Sequence, residues 1–197
     1  MRIKSPVATI LALGLALAAP SALAAWKLDN GASTFSFVSV KAGDLGEVHR
    51  FDTLSGSVAD DGSVEVVIDL ASVDTMIPIR DERMRELLFE VGRFPTARFD
   101  ATVSAGDLLK VAPGETAPLT VSGDLTLRAE TLALDVEVLV ARLSEGRMLV
   151  TTRQPVIVNA ATLGLADGLE KLREIAGLPS ISKAVPVSFV LVFEKDG

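Results

Sequence analysis

Leu119-Thr120-Val121-Ser122-Gly123-Asp124-Leu125-Thr126-Leu127-Arg128 alternates without a break, with apolar residues or glycine at odd positions and polar ones at even positions. A period of two marks a strand with one face in water and the other in an apolar interior. The next stretch repeats the pattern: Leu132, Leu134, Val136, Val138 and Val140 are set first against Thr131, Ala133, Asp135 and Glu137. Ala129-Glu130 between them predicts a tight hairpin, although this pair lacks the glycine or asparagine that primed turns favour.

Outward from this hairpin the pattern recurs. Val64, Val66, Ile68 and Leu70 alternate with Ser63, Glu65 and Asp69, behind the turn signal Asp60-Asp61-Gly62. Val185, Val187, Phe189, Leu191 and Phe193 share one side of the last strand, with Val190 and Val192 on the other. Further strands are expected over 33–40, 47–58, 97–103 and 147–158, with Pro155 marking an edge, a bulge or a barrel rim. Residues 112–118 read as a hairpin loop.

Two helices interrupt the strands. Over 78–92, Met84, Leu87, Leu88 and Val91 recur at helical spacing, Asp81 and Glu82 suit the positive end of the helix dipole, and Gly92 and Pro95 form the stop. Over 167–176, Asp167 and Glu170 predict a capping box, Leu169, Leu172 and Ile175 face inward, and Gly177-Leu178-Pro179 ends the helix. About eight strands with two helical excursions give an all-β, antiparallel domain, either a two-sheet sandwich or a closed barrel. Eight Phe, one Trp and no Tyr favour the barrel, since immunoglobulin-like sandwiches rely on a central Trp and a Tyr corner.

The first 24 residues read as a secretory signal: Arg2 and Lys4, an apolar run over 7–19, and Ala22-Leu23-Ala24 as the cleavage signature. Mature protein is therefore expected to begin at Ala25 and to be periplasmic or secreted. Loss of Arg2 and Lys4 takes the formal charge from −7 to −9. An acidic chain is a poor partner for nucleic acid, which needs clustered cations, and no later stretch is long and apolar enough for a spanning helix.

Chemistry is sparsely represented. With no cysteine there is no disulfide, thiolate metal site or cysteine nucleophile, and with His49 as the only histidine there is no multi-histidine metal site. No Ser lies in a nucleophile elbow, so no catalytic residue, metal or cofactor is expected. Asp60-Asp61-Gly62 is a turn rather than a calcium loop, because the later oxygen ligands are missing. The densest polar stretch runs from Ser72 to Asp81. In one reading Ser72, Asp74 and Thr75 satisfy backbone donors and Asp81 pairs with Arg85; in the other Arg80 or Arg83 stands at a barrel mouth and holds an anionic group. The aliphatic strand faces suit either a packed core or a pocket for one small apolar ligand.

The combined pattern resembles the YceI family of exported bacterial proteins. The matching residues are Trp26-Lys27-Leu28-Asp29, Ser33, Phe35-Ser36-Phe37, Leu54-Ser55-Gly56, Ile68-Asp69-Leu70-Ala71-Ser72-Val73-Asp74-Thr75, Arg80-Asp81, Phe94-Pro95-Thr96-Ala97-Arg98-Phe99 and Gly123-Asp124-Leu125-Thr126-Leu127. Departures fall at Ala129, at the stretch from Val158 to Gly164, and in the length of the second helix. The resemblance implies a lipocalin-like barrel around an apolar tunnel that binds a polyisoprenoid chain, carrying a prenyl phosphate or a quinone-like head. The candidate ligand-lining residues are then Phe35, Phe37, His49, Phe51, Val66, Ile68, Arg80, Leu125, Leu127, Leu134, Val136, Val138, Phe189 and Leu191. Two rival readings are an enzyme acting on a small apolar substrate at His49, Arg80 or Asp74, and an envelope interaction module or homodimer using the second helix.

Overall fold

The computed structural model describes residues 24–104, 106 and 110–196. The expected leader therefore lies outside the described residues except for Ala24. Among the described residues, twelve strand segments, all antiparallel, form one sheet. They are β1 (Ala24–Leu28), β2 (Thr34–Lys41), β3 (Leu45–Phe51), β4 (Leu54–Ala59), β5 (Ser63–Asp69), β6 (Val73–Asp74), β7 (Thr96–Thr102), β8 (Thr116–Leu127), β9 (Glu130–Ser144), β10 (Arg147–Thr152), β11 (Val156–Asn159) and β12 (Ala184–Lys195).

Eight bent strands account for these segments. β12 pairs through its second half with β1 and through its first half with β2, so β1 and β2 are two halves of one strand broken at Asn30–Ala32. β3 pairs β2 while β4 pairs β1, so these form the second bent strand, and β10 with β11 forms another along the opposite edge of β12. The β1–β12 pairing closes the circuit into an eight-stranded barrel. The expected strands over 47–58 and 147–158 therefore exist but are interrupted, the second at Arg153-Gln154-Pro155, where proline cannot donate to the ladder.

The central hairpin forms one residue earlier than expected. Leu127 pairs with Glu130, which makes Arg128-Ala129 the turn, with Arg128 at φ 57°. Its guanidinium donates to the Gly164 carbonyl at 2.7 Å and to Glu90 at 2.5 Å, and these tertiary partners hold a conformation that the local sequence disfavours. Thr116-Ala117-Pro118 belong to β8 rather than to the preceding loop.

The two helices expected from the sequence both lie at one end of the barrel. α1 (Pro78–Arg83) continues as a π turn, Met84–Phe89, which buries Phe89 beside Met84 and Leu88. α2 (Ala166–Ile175) starts after Leu165 without a side-chain cap, so the capping box does not form. Ile175 points to solvent rather than inward. α2 meets the π turn at Gly168, where an added Cβ would lie 2.7 Å from the Leu87 carbonyl oxygen. The opposite end is closed: the buried Arg142 guanidinium lies 4.5 Å from the Trp26 ring and donates to the Ser144 and Glu145 carbonyls. No helix among the described residues is long and apolar enough to cross a membrane.

Candidate functional site

The inward faces of the strands do not meet at the barrel axis. They enclose a cavity of about 430 Å³ that extends from Lys41, Ile77 and Ile181 at the helical end to Val58, Val103, Val140 and Phe193 near the closed end. Its size falls in the range of pre-formed ligand pockets. The alternation explains its lining: β8 contributes Leu119, Val121, Leu125 and Leu127, and β9 contributes Leu134, Val136, Val138 and Val140. Gly123 shares that face but has no side chain, and the Phe99 ring fills the space, 2.6 Å from where a Cβ would stand.

Every candidate lining residue borders this one cavity. Phe35, Phe37, His49 and Phe51 come from β2 and β3, Val66 and Ile68 from β5, Phe189 and Leu191 from β12, and Arg80 from α1, beside the β8 and β9 residues Leu125, Leu127, Leu134, Val136 and Val138. The aromatic residues form a connected wall. Phe35 stacks on Phe189 at 6.4 Å between centroids and meets Phe51 edge-on at 6.1 Å, while Phe51 contacts Phe37 at 5.3 Å and Phe89 at 5.7 Å.

Polar groups gather at the helical end. Arg80 donates from one terminal nitrogen to Glu47 at 2.6 Å and from the other to the Thr75 carbonyl at 2.6 Å, fastening α1 to β3. Lys41 reaches the same Glu47 oxygen at 2.8 Å. Its ammonium, with Arg80 behind it, holds the Glu47 carboxyl below its ordinary range. Asp81 is buried and accepts from the Thr75 backbone N–H at 2.8 Å and from the Thr75 hydroxyl. The expected Asp81–Arg85 pair is not formed; Arg85 donates to the Ala71 carbonyl instead. Ser72 and Asp74 do accept from backbone N–H groups, those of Thr53 and Met76, whereas Thr75 serves as a donor. The Arg83 side chain lies on the cavity wall with no ion pair or hydrogen bond among the described residues.

His49 is the most buried of the polar side chains that line the cavity. Nε2 shares a 2.8 Å hydrogen bond with Ser39 Oγ, while buried Nδ1 has no partner. Burial, reinforced by Arg80, lowers the imidazole pKa below its ordinary value, so the ring is neutral at pH 7. Arg80 Nε is likewise buried and unpartnered. No cluster of three or more metal-ligating side chains occurs among the described residues, and Asp74 bonds Arg50 and the Met76 N–H rather than facing the cavity.

Residues absent from the sequence-derived set include Ser39, Lys41, Glu47, Ile77 and Ile79, all at the helical end of the cavity. A signal was present for three of them: Ser39 and Lys41 continue the face of Phe35 and Phe37, and Glu47 continues that of His49 and Phe51.

A family model described as YceI-like domain matches residues 26–193. Among solved structures, a polyisoprenoid binding domain from Saccharophagus degradans, implicated in plant cell wall breakdown, is 39% identical. The match covers 88% of this chain and 99% of that one, with a TM-score of 0.86. BcnA of Burkholderia cenocepacia is 22% identical over 84% of this chain and 98% of its own, with a TM-score of 0.65, and the YCEI protein of Campylobacter jejuni is 12% identical over 76% and 84%, with a TM-score of 0.55. These last two are similar in fold. No curated protein matches the sequence.

Proposed function

Because this chain belongs to the YceI-like family, we propose that it is an exported carrier that binds a polyisoprenoid lipid inside its barrel. The observation carrying this reading is the axial cavity itself: aliphatic and aromatic along its length, with charged side chains confined to the helical end. A prenyl chain removed from water into such a wall gains about 0.8 kcal/mol for each methylene-sized group buried. The Saccharophagus degradans domain, similar over nearly its whole length, supports the ligand class.

In this reading the tail lies between β8–β9 and the aromatic wall, and the head stays at the end lined by Lys41, Arg80, Arg83 and His49. Arg80 is already bonded to Glu47 and Thr75, whereas Arg83 is free to meet a prenyl phosphate and His49 Nδ1 to meet the oxygen of a quinone-like head. Binding uses no nucleophile and no metal. Export rests on the composition of the leader, with Arg2 and Lys4 ahead of an apolar run and Ala22-Leu23-Ala24 behind it.

The test is organic extraction of protein purified without detergent, mass spectrometry of the extract, and titration of stripped protein with prenyl alcohols, phosphates and quinones. The expected result is stoichiometric recovery or uptake of a prenyl chain. Repeated absence of bound lipid, with no uptake of any added chain, would refute the carrier reading.

A further inference from the structure

The largest exposed aliphatic side chains are not scattered evenly. Of the nine exposed among the described residues, five, Leu45, Met76, Ile77, Ile79 and Ile175, belong to the segments around the helical end of the cavity, while Val48, Leu143, Ile157 and Val190 are spread singly over β3, β9, β11 and β12. These segments are joined there: the Ala42 N–H donates to the Ser180 carbonyl at 3.0 Å, Lys41 bridges Ile181, and Arg80 reaches Glu47. Ile77 and Ile79 are 42% and 52% exposed yet also line the cavity, so its wall continues outward as an apolar rim. Met76 is 72% exposed and held at φ 62° with its N–H bonded to Asp74, a conformation rare for a long side chain.

We propose that this rim docks on a lipid bilayer, placing the cavity mouth against the membrane. The inference rests on the carrier reading. Two features select a bilayer as the occupant. First, the rim is continuous with the cavity lining, so a prenyl chain crossing it passes between apolar surroundings without entering water. Second, residues 41–47, 76–83 and 173–183 together carry as many cations as carboxylates, whereas the whole chain has a net charge of −7. An anionic membrane surface therefore repels the remainder of the molecule and leaves this end as the side able to approach, where aliphatic insertion holds it.

The test is co-sedimentation with vesicles of phosphatidylcholine, with and without a minor fraction of phosphatidylglycerol. It compares the unmodified protein with the triple variant Leu45→Gln, Met76→Asn, Ile175→Gln. None of these three side chains lines the cavity, the changes keep the charge, and Asn tolerates the left-handed backbone at 76. The unmodified protein is expected to partition onto both vesicles and the variant about tenfold less or weaker, while both take up farnesol from solution equally. Equal partitioning of the two proteins, or none by either, would overturn the proposal. So would a concentration-dependent dimer that the variant abolishes without vesicle binding, which would assign the rim to a second copy of this chain. Vesicle binding that the variant loses, combined with no farnesol uptake by either protein, would sink the carrier reading and leave the docking surface standing.

Discussion

Val136 stands opposite Val121 in the β8–β9 pair, is 6% exposed, and borders the cavity. Val136→Phe adds four carbons at this point, and the two possible interiors predict opposite signs. If the ring enters empty space, burial at about 0.8 kcal/mol per methylene-sized group gives a gain of roughly 3 kcal/mol. If the barrel were interlocked like an ordinary core, the same change would cost about 1–3 kcal/mol through forced rotamers and backbone shifts. The assay is equilibrium urea unfolding of lipid-stripped protein, followed through the single tryptophan, Trp26, at the closed end. With a slope of about 1–3 kcal/mol/M, the gain moves the midpoint up by about 1 M or more. Prenyl uptake should fall in parallel, because the ring occupies the chain's path. A midpoint lowered at unchanged slope, with uptake intact, would refute the reasoning.

The imidazole of His49 is held neutral by burial and by Arg80; Lys41 opposes protonation too, while Glu47 and Asp81 favour it. Its lowered folded pKa means that the stability it contributes is present above 6.5, the ordinary value, and is lost as pH falls from there through the folded value, at no more than about 1.4 kcal/mol per pH unit. Thermal melts between pH 7.5 and 5 should show this loss, and His49→Gln should flatten it; an unchanged pH slope in the variant would contradict the assignment. Gly168→Ala places a methyl against the Leu87 and Leu88 backbone, so it should destabilise by about 1–3 kcal/mol through the α1–α2 contact, read as a lowered Tm, and a neutral result would contradict that contact. Arg80→Gln removes the clamp on Glu47 and the Thr75 carbonyl; because the pair is partly exposed, the loss should be about 1 kcal/mol, with faster amide exchange confined to residues 75–83. Protection unchanged over that segment would count against the clamp.

The barrel wall was legible in the sequence because water on one side and an apolar interior on the other impose a period of two, which β8 and β9 obey over most of their length, while β12 carries Val190 and Val192 on its second face. The same periodicity selected Leu125, Leu127, Leu134, Val136 and Val138 for the cavity without distinguishing a void from a core, since both demand the same residue types. What escaped notice depends on contacts between distant segments. The turn shifted to Arg128-Ala129 because Glu90 and Gly164 hold the Arg128 guanidinium. β1 was missed as a strand because buried Trp26 and Leu28, with exposed Lys27 between them, make too short an alternation to stand out. Asp167 lies inside the first turn of α2 rather than at its cap, and the π turn buries Phe89 along with Met84 and Leu88, where ordinary helical spacing had selected Leu87 in its place. The rim joins residues from β3, α1 and the segment just before it, and the end of α2, and no local pattern announces such a meeting.

The most direct measurement is a crystal structure of the protein saturated with a prenyl chain. Continuous density from Arg83 inward past Val136 and Val138 toward Val140, with the surrounding side chains near their present positions, is the predicted result. A chain bound only on the outer wall, or an interior collapsed so that opposing aliphatic side chains meet along the axis, would contradict it.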